Sequence, residues 1–290
     1  MPIRWHEEDP DLLREAIAFT RAETGFSARL IEKDYFCSVL LEYLASSSEE
    51  LTFKGGTCLS KIHAGFYRLS EDLDFSISTA SDSTRTMRRE SIGSMRTALS
   101  GLDKRLPSFR VKDALTGANN STQYNALVGY TSLLGPDPES IRVEIGLREP
   151  LLTEPVRGRA RTAVLHPISG LALVDVHPVR CLSYPELMAE KLRAAVSRLD
   201  VAIRDFFDID HAVRNGLDIH DTDLLGLLRR KLAVPGTGPL DVSPERVAQL
   251  RRQLDGELRP VLQEHEFANF DLERAIRLVS DVALEVRRPG

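Results

Sequence analysis

Cysteine is scarce in this 290-residue chain: Cys37, Cys58 and Cys181 are odd in number and far apart. With no Cys-x-x-Cys pair among them, neither a disulfide framework nor a zinc site is indicated. Long apolar runs are missing too, since nothing approaches the roughly 18 residues needed to cross a bilayer. The first ten residues are polar and acidic (Glu7, Glu8, Asp9), unlike a secretory leader. The chain is therefore expected in the cytoplasm, off the membrane. Nor is there an excess of positive charge: 38 Lys and Arg against 43 Asp and Glu give −5, which excludes a uniformly basic nucleic-acid binder. Several catalytic signatures are also lacking. There is no Gly-x-x-x-x-Gly-Lys loop, no Gly-x-Ser-x-Gly elbow and no zincin pair after His265-Glu266. His63, His166, His177 and His211 show no metal-ligand spacing.

What is present is periodicity of two kinds. Residues 9–45 read as two helices, the first capped by Asp9 or Asp11 and ended by Gly25, the second capped by Ser27. Residues 83–106 read as one further helix, and Thr57–Tyr67 as a short one. In Asp72–Ser78 and in Ile141–Arg148 apolar and polar residues alternate, as in half-buried strands. Leu51–Phe53, Phe109–Ala114, Gln123–Leu133 and Leu171–Val176 are further strand segments. Beyond Arg180 the pattern is helical throughout: Tyr184–Leu199, Ala202–Asn215, Asp221–Leu232, Ser243–Glu266 and Asp271–Val286. The expectation is an α/β (α+β) domain over 1–180 with N-terminal helices and a mixed sheet, then a helical domain over 181–290.

The chemistry gathers on the alternating strands. Strand side chains two apart share a face, so Asp72 and Asp74 stand together and must be either solvated or bridged by a cation. Hard oxygen donors of this kind suit Mg²⁺ or Mn²⁺. Glu144, on the polar face of Ile141–Arg148, is the natural third acid. Fewer than twenty residues before the pair, Lys54-Gly55-Gly56-Thr57 lies between a strand and a helix. There paired glycines let backbone N–H groups approach an anion. Thr57 either adds a hydroxyl contact or caps the helix. Ser70 either contacts phosphate or metal-bound water, or caps a turn.

Two segments carry local positive charge. Arg85–Lys112 holds eight basic residues against Glu90 and Asp103. Arg157, Arg159 and Arg161 lie in what reads as a loop. Either would suit an RNA backbone or be a solvated face.

Phe53–Lys61 (FKGGTCLSK) followed by Arg68–Phe75 (RLSEDLDF) resembles the first motif of the AbiEii/AbiGii family of nucleotidyltransferase-like toxins, which includes the mycobacterial MenT-type toxins. Ile31–Tyr35 (IEKDY), Val143–Ile145 (VEI), Glu190–Ala194 (EKLRA) and Arg204–Ile209 (RDFFDI) resemble its other segments, from about residue 30 to 210. The resemblance implies a DNA-polymerase-β-like nucleotidyltransferase core with a helical C-terminal domain, an NTP as substrate, tRNA as acceptor and a separately encoded antitoxin. It places Gly55, Gly56 and Thr57 on a phosphate-binding turn and Asp72 and Asp74 on a metal-binding pair, with Glu144 as the third ligand. Lys191 falls on a conserved-motif lysine, and Asp205 and Asp208 on the last acidic motif. A lysine so placed neutralises a phosphate or is an ordinary surface residue. The two aspartates, three apart on a helix, hold a cation in position or flank a solvated helix. The activity implied is addition of nucleotides to the 3′ end of tRNA, which blocks aminoacylation and translation. The alternatives are a protein acceptor and a non-catalytic nucleotide-binding module.

Overall fold

The computed structural model describes residues 4–241 and 243–287, leaving aside the side chains of 175–177. The backbone forms two compact units, one ending at Leu182 and the other beginning at Ser183.

The first unit is built on a seven-stranded mixed sheet. Its strands are β1 (Leu51–Lys54), β2 (Leu73–Ile77), β3 (Phe109–Ala118), β4 (Gln123–Tyr130), β5 (Glu139–Gly146), β6 (Val156–Arg161) and β7 (Asp175–Cys181). They lie in the order β3-β4-β5-β2-β1-β7-β6. The β2–β5 and β1–β7 pairs are parallel, and the remaining neighbours are antiparallel. One row of the register runs Tyr124–Ile145–Phe75–Phe53–Cys181–Val156 across the strands. The next row, on the opposite face, runs Asn125–Glu144–Asp74–Lys54. The first of these faces is the core, apart from Val156, which is exposed at the sheet's edge.

Helices cover that core face. Helix Pro10–Thr24 starts at Asp9, whose carboxylate accepts the Leu12 N–H at 3.0 Å, and stops at Gly25 in the left-handed conformation. Helix Ala28–Ser46, capped by Ser27, stacks Phe36 on Tyr130 at 4.2 Å between ring centroids. Its Tyr43 hydroxyl donates to the Ala98 carbonyl at 2.7 Å. Residues 83–106 form three short helices, Arg85–Ser91, Gly93–Ser100 and Leu102–Arg105, where the periodicity suggested one. The breaks fall at Gly93 and Gly101, where glycine weakens a helix interior.

Two other expectations are corrected. The arginine-rich segment around Arg157 is the edge strand β6, not a loop. Its inward positions are Gly158 and Ala160, small residues that give little strand signal. A Cβ on Gly158 would collide with Ile62, so the position admits only glycine without movement. The helix expected over Thr57–Tyr67 begins at Gly55 and gives way to a π turn, Leu59–His63.

In the second unit the described residues form helices. The five long ones are Tyr184–Ser197, Ile203–Arg214, Thr222–Leu232, Pro244–Gln253 and Leu272–Arg287. Leu187, Leu192, Phe207, Leu228, Leu258 and Val279 are buried among them. The helix expected over Ser243–Glu266 ends at Gln253, followed by a π turn (Leu254–Leu258) and a 3-10 turn that contains Pro260. Proline has no N–H for a continuing helix. Lys231 is fully buried and bridges Glu186 at 2.7 Å and Glu190 at 3.0 Å.

Candidate active site

The turn, the first acid pair and the third acid come from three neighbouring strands of the first unit. Lys54 ends β1 opposite Asp74 of β2, and Asp74 stands beside Glu144 of β5. Cross-strand neighbours point to one face, so Lys54, Asp74 and Glu144 form a polar row, each half-buried. Asp72 precedes β2 by one residue and is also half-buried.

The glycines are required by what lies against them. Gly55 has φ +76°, and a Cβ there would collide with the Asp74 carboxylate. At Gly56 a Cβ would collide with the Arg68 guanidinium and sit 3.3 Å from Ser70 Oγ. The turn therefore packs directly on the first motif's later half. Thr57 does not cap a helix. Its hydroxyl donates to the Asp72 carbonyl at 2.5 Å and so ties the turn to the acid-bearing segment.

A second layer fixes that segment from the other side, and the sequence reading left most of it unassigned. Glu71 pairs with Lys33 at 2.8 Å and Arg29 at 3.3 Å. Arg29 also grips Glu139 at 2.5 and 3.0 Å, and this paired carboxylate raises its pKa. Asp34 accepts from Lys61 at 2.6 Å, Thr162 at 3.0 Å and the Ala163 N–H at 2.7 Å. Glu32 accepts from Ser132 at 2.8 Å and the Leu133 N–H at 2.6 Å, while burial pushes its pKa up. The charges of the Ile31–Tyr35 segment are thus spent on holding the scaffold. Their signal in the sequence was charge on the buried side of a helix.

The basic residues divide as well. Arg88 is buried, donating to the Leu147 carbonyl at 3.2 Å and the Ser81 carbonyl at 3.3 Å, so Arg85–Lys112 is no uniform basic face. On β6, Arg157 pairs with Arg180, whose guanidinium donates to Thr52 at 3.2 Å. This row has the same parity as Lys54, so Arg157 and Arg180, both exposed, share the acidic face of the sheet.

In the second unit Lys191 makes 2.8 Å contacts to both Asp205 and Asp208, and Arg198 approaches Asp205 at 3.6 Å. The lysine and both aspartates are nearly buried. These three sequence-selected residues form one ion-pair cluster.

A further group was missed altogether. One donor atom each from Cys58, His63 and Cys181 lie within 4.8 Å of one another. Hydrogen bonds from Cys58 and His63 bring the Cys181 thiol down to about 5 against the opposing effect of burial.

Solved structures with this fold set its class. The chain matches MenT4, a nucleotidyltransferase toxin from Mycobacterium tuberculosis, with a TM-score of 0.50 and 18% identity over 95% of this chain and 99% of that one. It matches JHP933 from Helicobacter pylori with a TM-score of 0.51 and 17% identity, over 90% and 93%. A mixed sheet shared with such proteins is a nucleotidyltransferase-type fold. A family model then matches residues 39–277, and the chain belongs to the family it describes: the nucleotidyl transferase AbiEii toxins of type IV toxin–antitoxin systems. Comparison with curated proteins gives no match. Membership makes the chain a nucleotidyltransferase toxin, hence an enzyme of a class that uses NTPs and divalent metals, and implies an antitoxin partner. Among the described residues no helix is long and apolar enough to cross a membrane.

Proposed function

We propose that this toxin acts in the cytoplasm, transferring nucleotides from an NTP to the 3′ acceptor end of tRNA so that the modified tRNA is no longer aminoacylated and translation stops. The observation that carries the reading is the row Lys54–Asp74–Glu144 lying against a turn whose Gly55 admits nothing larger than hydrogen. The donor set fits a hard divalent ion: carboxylates on a rigid sheet, half-buried, with Asp74 packed onto the turn.

Asp72, Asp74 and Glu144 are the proposed ligands of Mg²⁺ or Mn²⁺. A divalent ion held by these residues would supply a lowered pKa for the attacking hydroxyl and a charge to offset that on the departing pyrophosphate. The backbone of Gly55, Gly56 and Thr57 cradles the triphosphate, with Lys54 and Ser70 beside it. Thr57, through its bond to Asp72, keeps cradle and acids in fixed register. The 3′-hydroxyl oxygen forms a bond to the α-phosphorus as the bond to pyrophosphate breaks, and the hydroxyl proton leaves to solvent. Arg157 and Arg180, on the same sheet face, supply positive charge for an RNA backbone. Lys191, Asp205 and Asp208 are proposed as functional residues on the family resemblance; within the second unit the two aspartates hold the lysine's ammonium. The acceptor itself rests on the family resemblance.

Incubation with labelled NTPs, Mg²⁺ and total tRNA should label RNA, and sequencing of 3′ ends should report the added base. Asp72→Asn should abolish labelling. Label that persists in this variant, or that appears on protein in place of RNA, overturns the reading.

A further inference from the structure

The core face of the sheet carries a second constellation, made of soft ligands. Cys181 ends β7 beside Phe53, and its Sγ lies 3.6 Å from the Val156 carbonyl. Cys58 follows Thr57 directly, and both thiols are fully buried. His63 is five residues further on. At roughly 3.6 residues per turn, α-helical positions five apart point well away from each other. Here the intervening turn is π-helical, closed by the Ala64 N–H donating to the Leu59 carbonyl at 2.8 Å. Its wider pitch returns His63 to the side of Cys58. The result is the convergence of two sulfurs and one imidazole nitrogen within 4.8 Å.

The histidine is oriented as a metal ligand is. Its Nε2 lies 3.0 Å from the Leu182 carbonyl oxygen, which only accepts, so Nε2 is the donor and Nδ1 is the nitrogen that would serve as a ligand. An imidazole whose second nitrogen donates to a backbone carbonyl has a fixed tautomer, the usual outer-shell partner of a ligating histidine. In a tetrahedral zinc site, bonds of about 2.3 Å to sulfur and 2.0 Å to nitrogen hold the donors about 3.5–3.8 Å apart. The three atoms thus lie at most about 1.0–1.3 Å beyond that spacing, a change on the scale of side-chain rotation. The hard acids on the opposite face belong to a different ligand class.

We infer that Cys58, His63 and Cys181 form a binding site for one thiophilic d¹⁰ cation, with zinc as its physiological class of occupant. Binding takes both sulfurs as thiolates, any proton still held by them leaving to solvent, and joins β7 to the segment immediately after the Gly55–Thr57 turn. The occupied site clamps the back of that turn, a structural role distinct from the acids at its front.

Zinc content of the purified full chain, measured by plasma mass spectrometry in millimolar Mg²⁺, should be close to one per chain. Replacing the metal with Co²⁺ should give thiolate-to-cobalt charge-transfer absorption, a signature that carboxylates do not produce. Cys58→Ser and Cys181→Ser should each weaken binding about a hundredfold or more, and Cys37→Ser should leave it unchanged. Zinc should also raise the melting temperature of the parent chain, a readout independent of whether the variants fold. Asp72→Asn should retain full zinc stoichiometry, which separates this inference from the proposed transfer reaction. Folded, reduced parent protein that takes up no zinc and shows no cobalt band overturns it. So does equal uptake by Cys181→Ser, or a Cys58–Cys181 disulfide as the only state recovered.

Discussion

Two rows of the same sheet, one residue apart, do opposite work. Phe53, Phe75, Ile145 and Tyr124 are buried under the helices, and Phe53 and Phe75 meet at 5.5 Å. Lys54, Asp74, Glu144 and Asn125 are half-buried on the other face. The comparison teaches that the apolar row holds the strands in register while the polar row inherits that register for its chemistry. A slip of one residue would send the acids into the core and the phenylalanines out of it. On the proposed site, rigidity and reactivity fall to alternate positions of one strand.

Substitutions at adjacent positions should separate the two roles. Asp74→Asn is expected to cut nucleotidyl transfer by about a thousandfold, the scale of a lost electrostatic group, while stability stays within about 0.5 kcal/mol. Transfer assays paired with chemical denaturation read both quantities. Phe75→Ala, one residue along, should reverse the pattern and cost about 3–5 kcal/mol of stability from the cavity it leaves. If both variants lose stability alike, the division between rows does not exist. Gly55→Ala lies at the seam between them. It should cost about 1–3 kcal/mol from the left-handed backbone alone, and should also lose activity because its methyl displaces the Asp74 carboxylate.

The smallest effect comes from His6, one of two histidines, with His211, that are buried among the described residues and whose pKa burial lowers. His6 packs against Phe36 and Tyr35, with its Nδ1 2.9 Å from the Tyr35 hydroxyl, and burial lowers its pKa below 6.5. A base whose folded pKa is depressed contributes stability that is present above its unfolded value and lost as pH falls. Melting temperature should therefore decline as the pH drops below about 6.5, and His6→Gln should flatten that slope. An unchanged slope would place the acid sensitivity elsewhere.

Much of this architecture was written in alternation. Residues 72–78 and 141–148 announce strands because their period is two, and the glycine pair announces a turn. The family motifs add Lys191 and the two aspartates it contacts. What escaped had physical causes. Gly158 and Ala160 pack closely because they are small, and small residues leave no hydrophobic period. The helix over 83–106 looked continuous because its apolar spacing survives the interruptions at Gly93 and Gly101. Lys33, Asp34 and Lys61 stood out only as letters of family-like segments, although each is buried against a partner distant in sequence. Cys58, His63 and Cys181 could not be seen as a group, since their meeting requires both a π turn and the parallel β1–β7 pair.

The parallel pairing of β2 with β5 also bears on when the protein becomes dangerous to its maker. Asp74 leaves the ribosome early, but its neighbour Glu144 arrives only after β3 and β4 have been synthesised and β5 has inserted beside β2. A half-made chain thus carries the turn and the first two acids with no third. If those three acids are the metal ligands proposed above, a growing chain gains transfer activity only when the sheet is nearly complete.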